Sequence, residues 1–405
     1  MRSNLRNSAI SAAVICVIGA LANPSAALAQ DDSEWSLQPR GRLQIDAGWV
    51  DASPAVEAAA DAVTPGGLDA DVEARRAYLG VDGKMPGNLG FRIEGEFAGA
   101  IEGTTVTWTD LYLYWDAAKN LRVTLGNHKP FWGLEEMTSD LFPSFAERAA
   151  LNTAFGHERR TGLSATYSTG DVLVQGGAFF DDIDSVLGGN DRGHSFDGRV
   201  VYAPKLGAGR LHLGASTHLR SFDDPASLRY SVRPFIHNAD TKFINTGAIT
   251  GATGEASYGL EAAYVQGPFH VAAETRWQHV NRTAALVEPT FFGGYVEAGY
   301  FLTKGDTRPY KGGVFERVKP AKPLGKGGIG AVQVNLRYDY LDLVDGPITG
   351  GRQNGYEVSL VWTPTARTRF IANYGRMEYD QAAIAAAGDR SYGVDAFGVR
   401  AQFDF

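Results

Sequence analysis

The chain has 405 residues, of which 44% are hydrophobic, 11% aromatic and 21% charged, and its formal net charge is −8. The only cysteine, Cys16, lies in an apolar N-terminal run, so the rest of the chain can form neither a disulfide nor a thiolate metal site. No later segment is apolar enough for a transmembrane helix. Two classes remain: a secreted soluble protein, or a transmembrane β-barrel that hides its apolar residues in alternation.

The first 29 residues predict a removable signal peptide. Arg2 and Arg6 form a basic start, residues 10–22 form an apolar run, and residues 27–29 read Ala-Leu-Ala, a small-x-small cleavage site. The run is shorter than the roughly 20 residues of a spanning helix, and the polar residues 23–25 argue against an uncleaved anchor. The mature chain is then 30–405, and the loss of two basic residues changes the net charge from −8 to −10.

Apolar and polar residues alternate with period two along most of the mature chain. In residues 210–220 the odd positions include Leu211, Leu213 and Leu219, whereas the even positions are basic or small. Successive side chains of a strand point to opposite faces, so this segment has one apolar and one polar face. The pattern predicts 16 strands, near residues 40–50, 73–83, 89–99, 106–116, 121–128, 160–168, 172–181, 196–204, 210–221, 257–266, 270–280, 291–303, 329–342, 355–363, 368–378 and 392–405.

Residues 129–160 break this alternation. A helix-like stretch from about Leu134 to Leu151 separates two predicted strands, and a connection of this length inside a compact domain usually has a function. We predict that this third loop folds into the lumen of a barrel and constricts it. A loop lying on the outer surface is the alternative.

Two features favour a barrel over a soluble sandwich, whose single strands would look the same. Short turns, such as residues 84–88 and 205–209, alternate with longer loops, such as residues 51–71 and 222–257. The last strand has an apolar residue at every second position up to Phe405, which is typical of the terminal strand of an outer-membrane barrel. The predicted fold class is all-β: a 16-stranded antiparallel transmembrane β-barrel, with an even strand number as single-chain barrels require.

Several short motifs resemble, in order, those of the phosphate-selective porin O/P family. They are Arg75-Arg76-Ala-Tyr-Leu-Gly-Val-Asp-Gly-Lys, residues 125–140 (LGNHKPFWGLEEMTSD), Gly267-Pro268-Phe269 and the terminal phenylalanine. The resemblance spans nearly the whole mature chain. It implies a homotrimeric 16-stranded barrel in contact with outer-membrane lipid. Its lumen arginines and lysines would replace the hydration shell of an anion.

Basic residues on the lumen face are the candidates for this pathway, because a guanidinium offers both charge and a fixed fork of donors. Alternation gives Arg42, Arg92, Arg122, Arg210, Arg220, Arg276, Arg337 and Arg400; the third loop and its border give Lys129, Arg148, Arg159 and Arg160; the family match gives Arg75 and Arg76. Each could instead belong to a structural ladder of arginines and carboxylates, since acidic residues share that face.

The function implied by the resemblance is passive diffusion of small hydrophilic solutes, namely anions such as phosphate or polyphosphate. Asp140 stands where the family often has a lysine, and with the net charge of −10 it leaves a general or weakly selective pore open. A barrel hydrolase using His212, His218 and Ser216 is the alternative from another class. The chain has no Gly-x-Ser-x-Gly motif, so we predict no enzyme, no cofactor and no nucleic-acid partner.

Overall fold

A computed structural model describes residues 35–101 and 103–405, so the predicted signal peptide at residues 1–29 lies outside the described residues. Among the described residues, sixteen long strands and the two-residue strand Lys205–Leu206 form one antiparallel sheet, and each of the 16 predicted strands has a long strand as its counterpart. The long strands are β1 Ser36–Ala52, β2 Asp71–Met85, β3 Leu89–Glu96, β4 Thr107–Ala118, β5 Leu121–His128, β6 Arg160–Thr169, β7 Val172–Phe179, β8 Gly193–Tyr202, β9 Gly209–Leu228, β10 Ile249–Gln266, β11 Phe269–Arg282, β12 Thr290–Phe301, β13 Ala331–Asp345, β14 Ile348–Thr365, β15 Thr368–Asp380 and β16 Tyr392–Asp404.

The sheet closes on itself into a barrel. Each strand pairs with its neighbours in the chain, and β1 also pairs with β16, from Arg42 opposite Asp404 to Ala52 opposite Val394. Closure leaves no row of unpaired backbone groups, which is what hydrocarbon surroundings require. The predicted 16-stranded barrel is thereby confirmed.

The two faces of the sheet are inverted relative to a soluble protein. On β9, Leu213 and Leu219 are 45% and 42% exposed on the outside, whereas His212 and His218 are buried on the inside. Water does not favour an exposed band of this kind around a barrel, whereas lipid covers it at no cost. No helix in the described part of the chain is long and apolar enough to cross a membrane.

Within the described residues, the connections contain five short helices: α1 Pro54–Val63, α2 Ala98–Ile101, α3 Leu134–Met137, α4 Ala150–Phe155 and α5 Ile183–Gly188. The third loop, residues 129–159, therefore contains two helices instead of one continuous stretch from 134 to 151. Helix α3 ends where Thr138 turns its hydroxyl back to the carbonyl of Leu134, and Pro143 follows in irregular chain. Thr138 has an extended backbone that ends the helix, and Pro143, which lacks a backbone donor, prevents a continuous helix through residue 143.

The third loop folds into the barrel, as predicted, and packs there with the fifth loop, residues 229–248. Trp132, Leu151 and Phe155 of the third loop share one buried cluster with Phe235 of the fifth. The Phe235 ring lies on two inward-facing glycines of the wall, Gly355 and Gly375, where a Cβ would meet it at 2.3 and 2.4 Å. The two loops together fill much of the lumen near the end where they arise.

Short turns and longer loops separate to opposite ends of the barrel, with two exceptions. The loop-side connection between β13 and β14 is only the two residues 346–347, and one turn-side connection is long. Residues 302–330, which join β12 to β13, form a long connection at the turn end. This turn-side segment enters the lumen: Phe315 is buried, the carbonyl of Gly313 accepts a 2.8 Å bond from Arg199, and the backbone amide of Phe315 donates to Thr138 of the third loop. The lumen is thus narrowed from both ends.

Deleting Phe405 is expected to lower the amount of assembled barrel in the cell envelope. The backbone of Phe405 exchanges two hydrogen bonds with Gly41, and its ring lies so close that a Cβ at Gly41 would meet it at 2.4 Å. These contacts complete the seam between β1 and β16. The fraction of chain whose gel mobility changes on boiling measures assembly; wild-type amounts in the deletion variant would contradict the expectation.

Candidate functional site

Arg75 and Arg76 both face the lumen because of a β-bulge. The pairing of β1 with β2 shifts between Gln44, opposite Arg76, and Asp46, opposite Glu73. Two residues of β2, Ala74 and Arg75, therefore oppose one residue of β1, and a bulge redirects a side chain that regular alternation would place outside. The side chains of the two adjacent arginines consequently both point into the lumen.

A cavity of about 530 Å³ opens in the lumen between this wall, the third loop and the fifth loop. We call it the upper cavity. Its basic side chains outnumber its acidic ones by eight to four. The basic ones are Arg75, Arg76, Lys129, Arg148, Arg159, Arg229, Arg233 and Lys242, and the acidic ones are Glu136, Asp140, Glu147 and Glu158. An anion entering here meets a formal excess of four positive charges.

Carboxylates of the third loop pair with many of these cations. Arg75 donates to both oxygens of Glu147 at 2.9 and 3.0 Å, and Arg76 Nε lies 2.9 Å from Asp140 Oδ2. Lys129 Nζ is 2.6 Å from Glu136 Oε1. Guanidinium groups have five donors, so a pair of this kind still leaves N–H groups for a visiting anion.

Two cations of the fifth loop are differently placed. Arg229 and Lys242 are exposed side chains of the upper cavity, and among the described residues no carboxylate lies within 4 Å of either. Arg229 directly follows the loop end of β9, and Lys242 lies further along the same loop. Arg229, Arg233 and Lys242 are not among the pathway residues predicted from the sequence, although three basic residues clustered in one long loop are a signal for them.

A smaller cavity of about 190 Å³ lies at the turn end and is here called the lower cavity. It contains five arginines against three acidic side chains and the C-terminal residue. The arginines are Arg40, Arg42, Arg92, Arg317 and Arg367, and the acids are Asp82, Glu94 and Asp404. Arg317 belongs to the turn-side segment and donates to Asp404 at 2.9 Å, so that segment supplies part of the lining.

A row of arginines on β1–β3 connects the two cavities. From the loop end towards the turn end the register gives Arg76 opposite Gln44, then Arg42 opposite Tyr78, Arg40 opposite Gly80 and Arg92 opposite Asp82. We call these four residues the arginine row. Residues along a strand are spaced by about 3.3 Å, so neighbouring arginines of the row lie close enough for a small ion to pass from one to the next.

The opposite wall is acidic, and the third loop covers it. Glu274 accepts a 2.7 Å bond from the backbone amide of Glu135, Glu297 accepts one of 3.1 Å from Ser144, and Asp339 accepts one of 2.6 Å from the amide of Ala150. Charge-assisted bonds to backbone amides are among the stronger ones in proteins. The loop is thus held against β11–β13, and the arginine row stays on the open side.

The other sequence candidates lie in several places. Arg122 pairs with Asp116 and Arg210 with Asp171 near the turn end, and both are partly exposed. Arg160 and Arg220 share Asp181. Three further arginines are buried: Arg276 lies over the Trp132 ring, Arg337 is bound by Glu135, Glu297 and Glu357, and Arg400 is bound by Asp46 and Glu147. These seven lie outside the linings of the two cavities.

Loop groups of the upper cavity have shifted pKa values. Burial would raise the pKa of the Asp140 carboxyl, but Arg42 and Arg76 hold it well below its usual range. Burial and the neighbouring Arg148 lower the pKa of the Lys129 ammonium, Glu136 opposes them, and the resulting pKa is about 8. Asp140 is therefore a permanent anion, whereas Lys129 loses its proton in mildly alkaline solution.

The histidines that suggested a hydrolase are occupied otherwise. His218 Nδ1 is 2.7 Å from Asp197, and His212 bonds Tyr310 and Glu261. The hydroxyl of Ser216 accepts a 2.9 Å hydrogen bond from Arg276, and among the described residues it is hydrogen-bonded to neither histidine. Nucleophilic catalysis by serine needs the base within hydrogen-bond reach of that hydroxyl, and this cluster does not provide it.

Known proteins resemble this chain along nearly its whole length. The family described as "Phosphate-selective porin O and P" matches residues 40–405. An uncharacterized protein of Caulobacter vibrioides is 44% identical over 380 residues, covering 91% of this chain and 74% of that one. Porin O of Pseudomonas aeruginosa is 25% identical over 425 residues, covering 93% and 90%. The outer membrane channel DcaP of Acinetobacter baumannii shares the fold, with a TM-score of 0.55, 13% identity and coverage of 93% and 99%.

The match to the family covers far more than half of the chain, and the closed barrel with its lipid-facing band agrees with it. Family and fold together indicate a channel rather than an enzyme. The chain belongs to the phosphate-selective porin O and P family and forms a channel in the Gram-negative outer membrane.

Proposed function

We propose that the pore passes small anions in preference to cations, and that phosphate is among the anions it binds. The observation that carries this proposal is the charge of the two cavities: eight basic against four acidic side chains in the upper one, and five against three in the lower one. The net charge of the whole chain is negative, so this basic excess is a local property of the path.

The arginine row gives the proposal its mechanism. An anion that enters a narrow pore loses part of its hydration shell, and guanidinium N–H groups replace the lost water. Each site must bind weakly enough for the ion to leave, and several equivalent sites in sequence meet that requirement. Carboxylates that already engage Arg76, Arg42 and Arg92 keep the binding at each step moderate.

The same carboxylates support the alternative of a weakly selective pore. Asp140 and Glu147 of the third loop neutralise part of the basic lining of the upper cavity, so a preference for anions can coexist with little discrimination among them. We therefore propose the third loop, residues 129–159, as the constriction, with selectivity set by the balance of Arg75, Arg76, Lys129 and Arg148 against these acids.

Single-channel recording in planar bilayers tests the proposal. Under a potassium chloride gradient, the reversal potential is expected on the chloride side, and added phosphate is expected to reduce the chloride current. A reversal potential on the potassium side would refute an anion pathway. Anion preference without any effect of phosphate would leave the pore anion-preferring but not phosphate-binding.

We further propose that the protein is a homotrimer. A transmembrane strand needs about 9–11 residues, and β3, β5 and β7 have only 8 each, whereas β9 has 20. These short strands lie on one side of the barrel, and we expect that side to be covered by neighbouring copies of the chain instead of lipid. Chemical crosslinking in the native envelope is expected to give a threefold mass; a monomer only would contradict this proposal without affecting the pore.

The anion preference is expected to fall as the pH rises through about 8. Lys129 is charged below that pKa and neutral above it, so the upper cavity loses one of its cations in alkaline solution. Reversal potentials at about pH 6 and about pH 10 measure the change, because these values lie about two units below and above the pKa and so cover its titration. Lys129→Arg, which keeps its charge, should abolish most of this pH dependence. An identical shift in both proteins would assign the titration to another group.

A further inference from the structure

Asp140 lies at the boundary between the two cavities. Its side chain lines the upper cavity, and the next residue, Leu141, lines the lower one. Its carboxylate reaches Arg76 of the upper cavity at 2.9 Å and forms a closer ion pair with Arg42 of the lower cavity. One acidic side chain thus bridges two neighbouring members of the arginine row at the place where the row passes from one cavity to the other.

The surroundings keep this carboxylate charged and in place. Its side chain is only 12% exposed, and its main-chain carbonyl accepts a 3.0 Å bond from Gln44 on the same wall. Arg148 and Lys129 add positive potential from the third loop itself. A carboxylate in this position offers the two arginines the same charge and the same planar oxygen pair that a small permeant oxyanion would offer.

We propose that Asp140 determines the selectivity of the pore by occupying the Arg42–Arg76 site as a tethered carboxylate that a permeant anion must displace. The proposal rests on the anion pathway proposed above and adds a residue that limits it. While the Asp140 carboxylate is bound, the two guanidinium groups attract a permeant anion less strongly than they would without it. The pore therefore has a basic lining, but Asp140 reduces its preference for anions at the Arg42–Arg76 site.

The alternative is that Asp140 only fastens the third loop to the wall. Several other contacts already do so: Glu147 binds Arg75 and Arg400, and Arg337 binds Glu135. Loss of Asp140 should therefore leave the loop docked. A purely fastening role would change the heat stability of the barrel and its conductance for all ions, but not the sign or size of its ion selectivity.

Asp140→Asn tests the proposal, because the amide keeps the shape and removes the charge. The permeability ratio of chloride to potassium is expected to rise by roughly threefold or more, since one charge about 4 Å from the ion is removed in a partly desolvated region. Half-block of the chloride current should need correspondingly less phosphate. Asp342→Asn is the matched control: Asp342 lies on the outward face beside Arg352, so its neutralisation should leave both values unchanged.

Asp140→Ser provides a second variant if the asparagine protein assembles poorly, and both are first checked for the mobility change on boiling. An unchanged permeability ratio in assembled Asp140→Asn or Asp140→Ser protein would overturn the proposal, as would equal shifts in the Asp342 control. The wild-type recording separates the two proposals. A cation-preferring wild type refutes the anion pathway, whereas an anion-preferring wild type with an unresponsive Asp140 variant refutes only the role of Asp140.

Discussion

Replacing Arg75 and Arg76 together by alanine is expected to move the reversal potential of the pore strongly towards the cation side and to weaken block by phosphate. The double change lowers the formal charge excess of the upper cavity from four to two. It also frees Glu147 and Asp140 from one partner each, so their negative charge becomes more effective in the same narrow region.

The expected size follows from Coulomb's law. A unit charge about 4 Å from an ion contributes up to roughly 4 kcal/mol at an effective dielectric of about 20, and water and counter-charges reduce that value. Only about 1.4 kcal/mol is needed for a tenfold change in relative permeability. We therefore expect the chloride-to-potassium ratio to fall by about tenfold for the double variant and by less for either single one.

The third loop should remain docked in this variant, because Glu147 keeps Arg400 and Asp140 keeps Arg42. Arg352→Ala combined with Arg376→Ala is the control, since it removes two paired arginines from the outward faces of β14 and β15. A wild-type reversal potential in the assembled Arg75/Arg76 double variant would show that these arginines are structural. The arginine row would then not be the pathway.

The barrel could be predicted because its signal is local. Period-two alternation is visible within ten residues, as in residues 210–220, and neighbouring strands in the chain are also neighbours in the sheet. Among the described barrel strands, β1 and β16 are the only paired strands that are not neighbours in the chain, and the alternating terminal strand ending at Phe405 marks one side of this seam. The insertion of the third loop was likewise signalled by its length and by its break in alternation.

The residues of the ion pathway were harder to predict from the sequence, because their positions depend on contacts between residues that are distant in the chain. Arg42 and Arg337 both alternate inward in sequence, yet Arg42 lines a cavity and Arg337 is enclosed by three carboxylates. Regular alternation would have turned Arg75 away from the lumen, and only the bulge explains its position. The turn-side segment has no distinctive pattern, because its partners, such as Arg199 and Thr138, lie far away in the chain.

Arg337→Ala is expected to have the largest effect on stability. Its guanidinium is fully buried, bonds Glu135 of the third loop and Glu297 of β12, lies 3.5 Å from Glu357, and rests 4.1 Å from the centre of the Phe145 ring. Removing one member of a buried ionic group leaves the others without compensation, at a cost of about 3–5 kcal/mol. Here three carboxylates lose their shared partner.

The third loop is the element that can move to relieve this charge. Water must reach the three carboxylates, and it can do so if residues 134–149 leave the wall, since Glu135 and Phe145 both belong to that stretch. We expect assembled Arg337→Ala barrels to change mobility at a lower temperature than wild type and to show a larger, noisier single-channel conductance. Arg337→Lys, which restores the charge but not the fork of donors, should be intermediate.

Arg210→Ala supplies the comparison that identifies burial as the cause. Arg210 also points inward from a barrel strand and pairs with one carboxylate, Asp171, but both side chains are substantially exposed at the turn end. Exposed pairs contribute about 1 kcal/mol or less, so this variant should keep the wild-type transition temperature and conductance. Similar behaviour of the Arg210 and Arg337 variants would mean that the third loop is held mainly by its apolar contacts, among them Trp132, Leu151 and Phe155, and not by the ionic group around Arg337.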